Sequence, residues 1–450
     1  MTTDVAVPAK VWRLAAVIAF GGVMAGLDTS VANVGLEAIA RDLRAELGAV
    51  QWVSTGFLIA LAAALPACGW LSRRFGGGRV WLAALAAFTV ASALCAAAQS
   101  VEVLIAFRVV QGIAGGLLVP AGMAILGQAA GKARMGRVMS TSAIPAILAP
   151  AIGPVVGALL IAHLSWQWMF LINVPIGVVG LVLGLRAVPR GERAGGEPLD
   201  VLGLVLVGAG LPALIQGVTG GSTVALTAGV AALVAFVVRS LRRPAPLLDL
   251  RLFRVGGYAA AGFVVMVNGA ALFGGMIVMP LYFQLLRGEG IVGTGLLLMA
   301  FSLGAAAMFP VAGRLTDRYG GGVVTVTGLV VTIVTTVPLA LLPADVPLLA
   351  VEVLQVLRGA GLALAGMPAA ASAFAMVERH QIPDATAQMN ILNRVGGALG
   401  GVAFVAVLTA HLDAGPDAAF RTTFWWLAAA AAGGLAGAAW LAVAQRRRPA

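Results

Sequence analysis

The chain has 450 residues, of which 60% are hydrophobic and only 10% are charged, and its mean hydropathy is +1.00. A soluble domain carries about 25% charged residues, so this composition excludes an ordinary water-soluble protein and is typical of one that lies largely in lipid. The net charge of +11 does not indicate a nucleic-acid-binding protein, because the basic residues lie in short loops between apolar runs rather than on one patch.

Apolar runs long enough to cross a membrane recur along the whole chain. A transmembrane helix needs about 20 apolar residues, and the first run lacks the cleavage site of a signal peptide. Fourteen runs lie near residues 12–35, 50–72, 79–98, 101–127, 138–162, 166–187, 199–218, 222–239, 257–285, 291–314, 322–342, 346–375, 389–411 and 420–444. The sequence therefore predicts an all-α polytopic membrane protein with fourteen transmembrane helices.

Lysine and arginine concentrate in every second loop. Arg73 and Arg74 follow the second run, Arg134 and Arg137 follow the fourth, and an alternate loop carries Asp345 instead. Because positively charged loops stay on the cytoplasmic side, this asymmetry predicts a multi-pass protein of the inner (cytoplasmic) membrane with both termini in the cytoplasm.

An internal repeat relates the two ends of the chain. The segment GWLSRRFGGG from Gly69 is matched by GRLTDRYGGG from Gly313, 244 residues later, and RVVQGIAGG from Arg108 has a weaker echo in QVLRGAG from Gln355. Copies with the same sidedness indicate parallel repeats around a cavity. We therefore expect an N-terminal six-helix bundle over 1–190, two inserted helices over 191–250 and a C-terminal six-helix bundle over 251–450.

Six sequence blocks stand out along the chain. The most distinctive is WQWMFLINVPIG, from Trp166. The other five are LDTSVANV from Leu27, QWVSTGFL from Gln51, APAIGPVVG from Ala149, PLYFQ from Pro280 and NRVGGALG from Asn393. In this order the blocks resemble those of the fourteen-helix drug:proton antiporter branch of the major facilitator superfamily, and the resemblance spans nearly the whole chain.

This resemblance implies a major facilitator fold and an antiporter that exports lipophilic drugs or antibiotics by alternating access. The proton motive force would supply the energy, with no cofactor. Its partners would be a small lipophilic substrate, protons and membrane lipid, with no nucleic acid, and the protein would be a monomer. An exporter of a lipid or of an endogenous metabolite, such as a self-made antibiotic, is the alternative.

Conformational motifs are implied at eight positions, and one departs from the family pattern. The family has an aspartate where this chain has Arg73, and that aspartate helps to lock the cytoplasmic ends of the two halves, so Arg73 leaves open whether this latch is weaker. Gly153 and Pro154 predict a bent helix, which the family associates with antiport direction; a plain hinge is the alternative. The eight positions are Gly69, Arg73, Gly153, Pro154, Gly157, Gly313, Asp317 and Arg318.

Asp28 and Arg108 are predicted at equal depth in the membrane. Each lies about 7 residues, or about 10 Å, from the outer end of its helix. An ionisable group there costs roughly 2.5–3.5 kcal/mol on insertion scales, which invites a functional interpretation. We expect both to face a shared cavity, where burial disfavours the charged carboxylate and the guanidinium favours it. Substrate or conformation would then tip the balance, with proton release on one side of the membrane and uptake on the other. A static pair that fixes the bundle is the alternative.

Two further polar residues are candidates for coupling. The resemblance implies that Gln111, with Arg108, takes part in proton coupling and helix contacts; a plain hydrogen bond to a neighbouring helix is the alternative. Glu352 lies about 6 residues into the twelfth run, counted from the outer side. It is predicted to be a second proton or cation site, with interfacial snorkelling as the alternative.

The substrate cavity is expected to have adaptable apolar walls and a few polar groups. For each polar member, hydrogen bonding between helices is the alternative role, and for each apolar member, packing or lipid contact. With Asp28 as the buried anion, a lipophilic cation is the favoured substrate, and one carboxylate would then serve both proton and cation; a neutral drug stays open. The predicted lining is Asn33, Phe57, Gln111, Met266, Phe273, Met276 and Tyr282.

Catalytic and metal-binding motifs do not stand out. The three histidines, His163, His380 and His411, are scattered near helix ends, and Cys68 and Cys95 are interpreted as small packing residues inside apolar runs. This pattern has no metal-ligand spacing, and the chain lacks a phosphate-binding Gly-x-x-x-x-Gly-Lys-Ser/Thr loop. The sequence therefore favours neither an enzyme nor an ATP-driven pump, and predicts no metal site.

Overall fold

A computed structural model describes residues 7–191, 198–343 and 345–446, and the side chains of nine helical residues lie outside that description. The described part is helical, with no strand. Its α-helices, in chain order, are α1 Ala9–Val34, α2 Leu36–Asp42, α3 Leu47–Ala64, α4 Ala67–Phe75, α5 Gly77–Ala96, α6 Val101–Ala130, α7 Met135–Ser142, α8 Ile144–His163, α9 Trp168–Leu171, α10 Asn173–Ala187, α11 Val201–Thr219, α12 Thr223–Arg242, α13 Gly256–Leu281, α14 Ile291–Tyr319, α15 Gly321–Leu341, α16 Leu348–Ala375, α17 Ile382–Ala410 and α18 Pro416–Arg446.

The helices agree with the predicted membrane-spanning runs. In the described part, twelve helices are long and apolar enough to cross a membrane on their own, and α3 with α4 forms a further span bent by 56°. The bend lies at Pro66, whose ring cannot donate the backbone hydrogen bond of a continuous helix. The apolar α8, of 20 residues, occupies the fifth predicted run. Each of the fourteen runs therefore contains a helix.

The same helix packing occurs twice. In the first half, α6 packs between α3 and α5, and α1 packs against α8 and α10. In the second half, α16 packs between α14 and α15, and α13 packs against α17 and α18. We call these two groups the N-terminal bundle (α1–α10) and the C-terminal bundle (α13–α18). The repeat seen in the sequence is thus a repeat of three-dimensional packing.

Glycines at equivalent positions allow the closest helix crossings in both bundles. A methyl group at Gly112 in α6 would overlap the backbone carbonyl of Phe57 in α3, and one at Gly359 in α16 would overlap that of Phe301 in α14. Such small residues let transmembrane helices approach through their backbones. The close crossings fix the rotation of α6 and α16, and so the direction in which their polar residues point.

The inserted pair α11 and α12 packs on the outside of both bundles. The two helices contact each other, and α11 also contacts α3 and α17. Asp200 accepts a hydrogen bond from the backbone N–H of Gly203 at 3.0 Å, capping α11, and pairs with Arg239 of α12 at 2.8 Å. This cap and ion pair hold the inserted pair together at its charged end.

Candidate transport site

The Asp28 carboxylate is fully buried inside the N-terminal bundle. Arg108 Nη1 donates to its Oδ2 at 2.5 Å, and the two side chains are 0% and 1% exposed. Gln111 Nε2 and Asn173 Nδ2 each donate to Oδ1 at 2.9 Å. The carboxylate therefore joins α1, α6 and α10, and its charge is compensated by one guanidinium and two amides.

The guanidinium of Arg108 is enclosed by aromatic rings and backbone. Its centre lies 4.1 Å from the ring centroid of Phe57 and 5.4 Å from that of Phe170, and its Nε donates to the carbonyl of Val53 at 2.9 Å. Cation–π contact and hydrogen bonds offset much of the cost of a buried cation. Phe57 therefore stacks on Arg108.

A separate cavity of about 450 Å³ lies between the two bundles. The lining residues of the C-terminal bundle include Gly295, near the first residue of α14, and Phe374, near the last residue of α16. Ligand pockets for drug-sized molecules usually measure about 300–1,000 Å³. The cavity is therefore large enough for a small organic substrate.

The two walls of this cavity differ in polarity. The wall from the N-terminal bundle is apolar except for Ser142, with residues such as Ile18, Leu118 and Met123. The wall from the C-terminal bundle carries the polar side chains, which are Asn268, Ser302, Gln355, Arg358, Asn390 and Asn393. Polar recognition is thus confined to the C-terminal side.

The structure divides the predicted cavity residues into two groups. Phe273 and Met276 line the cavity. The side chains of Asn33 and Pro154, predicted for the cavity and the hinge, lie outside the described residues. Phe57, Gln111, Met266 and Tyr282 are absent from the described lining.

The residues missing from the lining have other partners. Gln111 is buried and donates a hydrogen bond to Asp28. The ring centroid of Tyr282 lies 5.6 Å from those of Phe420 and Phe424 in an aromatic cluster. Met266 is half-buried beside Gly396. Apolar composition alone does not distinguish a cavity wall from helix packing, which explains the difference.

The two predicted carboxylate sites also lie away from the cavity. Asp28 does not reach its lining, so the expectation that Asp28 and Arg108 face a shared cavity is corrected: the pair meets directly, inside one bundle. Glu352 is half-buried one turn nearer the start of α16 than Gln355. It is not part of the described cavity lining either.

Two ion pairs join the bundles at the ends predicted to be cytoplasmic. Arg73 at the end of α4 pairs with Asp384 at the start of α17. Asp317 near the end of α14 accepts from the backbone N–H of Gly136 at 2.8 Å and from Arg137 Nε at 3.2 Å, at the start of α7. We call these the Arg73–Asp384 latch and the Arg137–Asp317 latch.

The latches are related by the repeat, with their charges exchanged. Arg73 corresponds to Asp317, 244 residues later. Arg137 corresponds to Asp384, 247 residues later, which is the offset between the segments that begin at Arg108 and Gln355. Arg73 therefore replaces the expected aspartate without removing the ion pair, because its partner in the other bundle is an acid. An ion pair is therefore present at this latch, with Asp384 as the partner of Arg73.

The first glycine of each repeat copy, Gly69 or Gly313, has a steric role in this structure. A methyl group at Gly69 would overlap the carboxylate of Asp384, and one at Gly313 would lie 2.7 Å from Cα of Arg137. The lack of a side chain at each glycine lets the latch residue of the opposite bundle approach closely. Arg318 is exposed and lies 5.1 Å from the ring of Tyr319, outside either latch.

The predicted hinge helix α8 packs closely against α1. A methyl group at Gly153 would overlap the side chain of Ser30, and one at Gly157 would lie 3.3 Å from the carbonyl of Val31. Both contacts occur within one turn of Asp28 along α1. A change in the Asp28 network can therefore reach α8 through direct packing.

Sequence reasoning missed Asp384, Arg358 and the role of Asn173. Asp384 falls before the predicted thirteenth run, yet α17 begins at Ile382, so the acid is helical and faces α4. Its correspondence to Arg137 was a usable signal. Arg358 lies in the recognised echo of the Arg108 segment, but in the place of Gln111, which concealed it.

Comparison with known proteins agrees with this architecture. The family model of the Major Facilitator Superfamily matches residues 18–401. The chain is 33% identical over 412 residues to a multidrug resistance protein B homolog of Mycobacterium tuberculosis, covering 88% of this chain and 76% of that protein. It is 32% identical over 365 residues to the tetracenomycin C resistance and export protein of Streptomyces glaucescens, covering 78% of this chain and 67% of that protein.

A solved structure shares the fold. The human organic anion transporter MFSD10 aligns with a TM-score of 0.67 over 95% of this chain and 100% of that chain, at 15% identity. At that identity the likeness concerns the fold alone. The family match, the drug-resistance relatives and the paired bundles agree, and the chain belongs to the drug-efflux branch of the major facilitator superfamily.

Proposed function

We propose that the protein is a proton-coupled antiporter that exports lipophilic compounds from the cytoplasm, as a monomer in the inner membrane with both termini in the cytoplasm. The observation that carries the proposal is the buried Asp28–Arg108 pair. Asp28 can exchange a proton, and its helices border both the substrate cavity and the helix α8. The drug-resistance relatives support export as the direction.

Protonation of Asp28 is the proposed coupling step. A proton on its Oδ2 would remove the charge that compensates Arg108, leaving a buried cation without its partner. Such a state is unfavourable by several kcal/mol unless the packing changes. The helices α1, α6 and α10 would then rearrange, and α8 would follow through its contact at Gly153. Deprotonation on the opposite side of the membrane would restore the pair.

The latches are the proposed gate on the cytoplasmic side. With the Arg73–Asp384 and Arg137–Asp317 latches closed, the cytoplasmic ends of the bundles are held together. Alternating access requires that both latches open to admit substrate and close before release. The structure described here has both closed.

Proton and substrate occupy separate sites in this scheme. The expectation of a cationic substrate rested on Asp28 facing the cavity, and the described lining contains no carboxylate. The proposed coupling therefore acts through helix packing and does not require direct competition for one carboxylate. Export of an endogenous metabolite is the second candidate, favoured by the tetracenomycin C exporter among the relatives.

Efflux from intact cells tests the proposal. Cells that express the wild type should extrude a lipophilic dye panel, and a proton uncoupler should abolish the extrusion. Asp28→Asn should remove it at unchanged protein levels, whereas the control Glu37→Gln, at a side chain 83% exposed, should leave it intact. Wild-type efflux by Asp28→Asn would reject the assignment.

A further inference from the structure

Arg358 is a buried cation in the wall of the central cavity. Arg358 is 2% exposed. It lies ten residues after the first residue of α16, or about 15 Å along the helix axis. Its Nη2 donates to the carbonyl of Ala271 at 3.1 Å, and its Nη1 lies 3.5 Å from Gln355 Oε1. Its Nε has no hydrogen-bond partner among the described residues.

Three buried carboxylates of the described chain pair with arginines, whereas the half-buried Arg394 of α17, like Arg358, has no ion pair among the described contacts. Asp28 pairs with Arg108, Asp200 with Arg239, and Asp384 with Arg73. Arg358 has no such partner, and the nearest acid along its helix, Glu352, is not within ion-pair distance among the described contacts. A buried charge without a counter-ion is strongly unfavourable. The cavity is therefore short of one negative charge.

The surroundings of Arg358 keep space for a ligand. A methyl group at Gly275 on α13 would overlap the guanidinium, so this glycine lets the cation lie flat against the helix. Asn268 also lines the cavity, and its Oδ1 has no partner among the described residues. The C-terminal wall thus contains an unpaired cation and, beside Gly366 two turns further along α16, an amide oxygen without a hydrogen-bond partner among the described residues.

The remainder of the lining suits an apolar body. Aromatic and thioether side chains are numerous in the cavity lining, and such side chains adapt to ligands of different shape. They include Phe273, Met276, Met299, Phe301, Phe309 and Met367. The centre of the Arg358 guanidinium lies 5.7 Å from the ring centroid of Phe301, and its two terminal nitrogens carry more N–H groups than their hydrogen bonds to Gln355 and Ala271 use.

We propose that Arg358 is the substrate-binding cation of the central cavity, and that the exported compounds carry an anionic oxygen on a lipophilic body. A carboxylate, phenolate or sulfonate would supply the missing charge and accept from the terminal nitrogens of the guanidinium. A cationic compound would be repelled by the same group. The assignment rests on the proposed export function, and names its substrate class.

Binding of three probes with one scaffold and different charges tests the assignment. The probes are pyrenebutyrate, pyrenebutanol and pyrenebutyltrimethylammonium, and the full chain is held in nanodiscs of zwitterionic phosphatidylcholine. Equilibrium dialysis against empty nanodiscs removes partition into lipid. We expect the wild type to bind the anion about tenfold or more tightly than the alcohol, the usual range of a charge-assisted hydrogen bond, and the cation most weakly.

Variants locate the preference at one residue. Arg358→Gln should bring anion and alcohol binding to within about twofold of each other while alcohol binding is retained, as expected when a charged hydrogen-bonding partner is lost. Arg358→Lys keeps the charge and should keep the preference. The control Arg421→Gln, at a side chain 44% exposed in the same bundle, should bind all three probes as the wild type does.

Three binding results would overturn the assignment. They are equal binding of anion and alcohol by the wild type, a preference that persists in Arg358→Gln with alcohol binding intact, and absence of binding by all probes. The wild-type comparison holds even if a variant does not fold. In proteoliposomes, proton-driven transport of the alcohol with no preference for the anion would overturn the role of Arg358 but leave the proposed export function intact. Anion-selective binding without proton-driven movement of any probe contradicts only the proposed function.

Discussion

The exchanged charges of the two latches make a reversal experiment possible. Arg73→Asp places a second carboxylate beside that of Asp384. The double variant Arg73→Asp, Asp384→Arg restores an ion pair, with the acid and the arginine at the repeat positions that Asp317 and Arg137 occupy in the other latch. The side chains of Arg73 and Asp384 are 20% and 9% exposed. Opposite unit charges about 4 Å apart attract by about 4 kcal/mol at an effective dielectric constant of about 20.

Partial exposure reduces that attraction, so we expect the single variant to favour the cytoplasm-open state by about 2–4 kcal/mol. This corresponds to about 30- to 1,000-fold in the equilibrium between states. Since moving a two-state equilibrium from 1:99 to 99:1 takes about 5.5 kcal/mol, the open state should become a large part of the population. The double variant should recover most of the closed population.

Pulsed electron–electron double resonance between spin labels at positions 132 and 379, in place of Lys132 and Arg379, measures the equilibrium between the closed and cytoplasm-open states. Both positions are exposed and lie in corresponding loops of the two bundles, and the native Cys68 and Cys95 are buried. The single variant should add a longer distance, and the control Arg74→Asp, at the neighbouring exposed arginine, should not. An unchanged distribution in Arg73→Asp, or no recovery in the double variant, would refute the role of this latch.

Two further predictions concern the cavity and the coupling network. Gly275→Ala should displace the Arg358 guanidinium and reduce the preference for pyrenebutyrate about as much as Arg358→Gln, whereas Gly433→Ala, which meets nothing within 4 Å, should not; equal dialysis results for the two would contradict the proposed cradle. Asn173→Leu removes a hydrogen bond to the Asp28 carboxylate, a loss of about 1.5–3 kcal/mol for a charged acceptor. Because this bond stabilises the ionised form, the pH profile of efflux should move to higher pH, and an unmoved profile would show that Asn173 does not tune Asp28.

Much of the fold could be predicted from the sequence, because hydropathy and loop charge report directly on lipid contact. The breaks were harder. The bend at Pro66 and the start of α17 at Ile382 depend on packing between helices, and polar residues such as Asp384 end an apolar run without ending the helix. Burial of that helix end against α4 and α6 keeps it helical.

The candidate site could be predicted in part. Equal depth brought Asp28 and Arg108 together correctly as partners, because rise per residue fixes height in the membrane. Height does not fix rotation about the helix axis, so the sequence could not show that Asp28 points into its own bundle. The same limit applies to Phe57 and Tyr282, which have the composition of cavity walls and lie in helix packing.

The division of labour between the bundles is the main physical consequence of this geometry. The N-terminal bundle holds the Asp28 carboxylate, which we propose exchanges the proton, and presents an apolar wall. The C-terminal bundle holds the polar wall and the unpaired Arg358. The Asp28 carboxylate and the Arg358 guanidinium lie in different bundles, although α1 and α6 carry both the Asp28 network and part of the cavity wall.

Paired measurements on Asp28→Asn in proteoliposomes test the central claim most directly. Substrate binding and substrate–substrate counterflow should stay within about twofold of the wild type, because the side chain does not line the cavity, while pH-gradient-driven transport should disappear. Loss of binding together with transport would contradict the account, since it would show that proton and substrate share Asp28. Retained pH-gradient-driven transport would contradict it from the other side, by removing Asp28 from coupling.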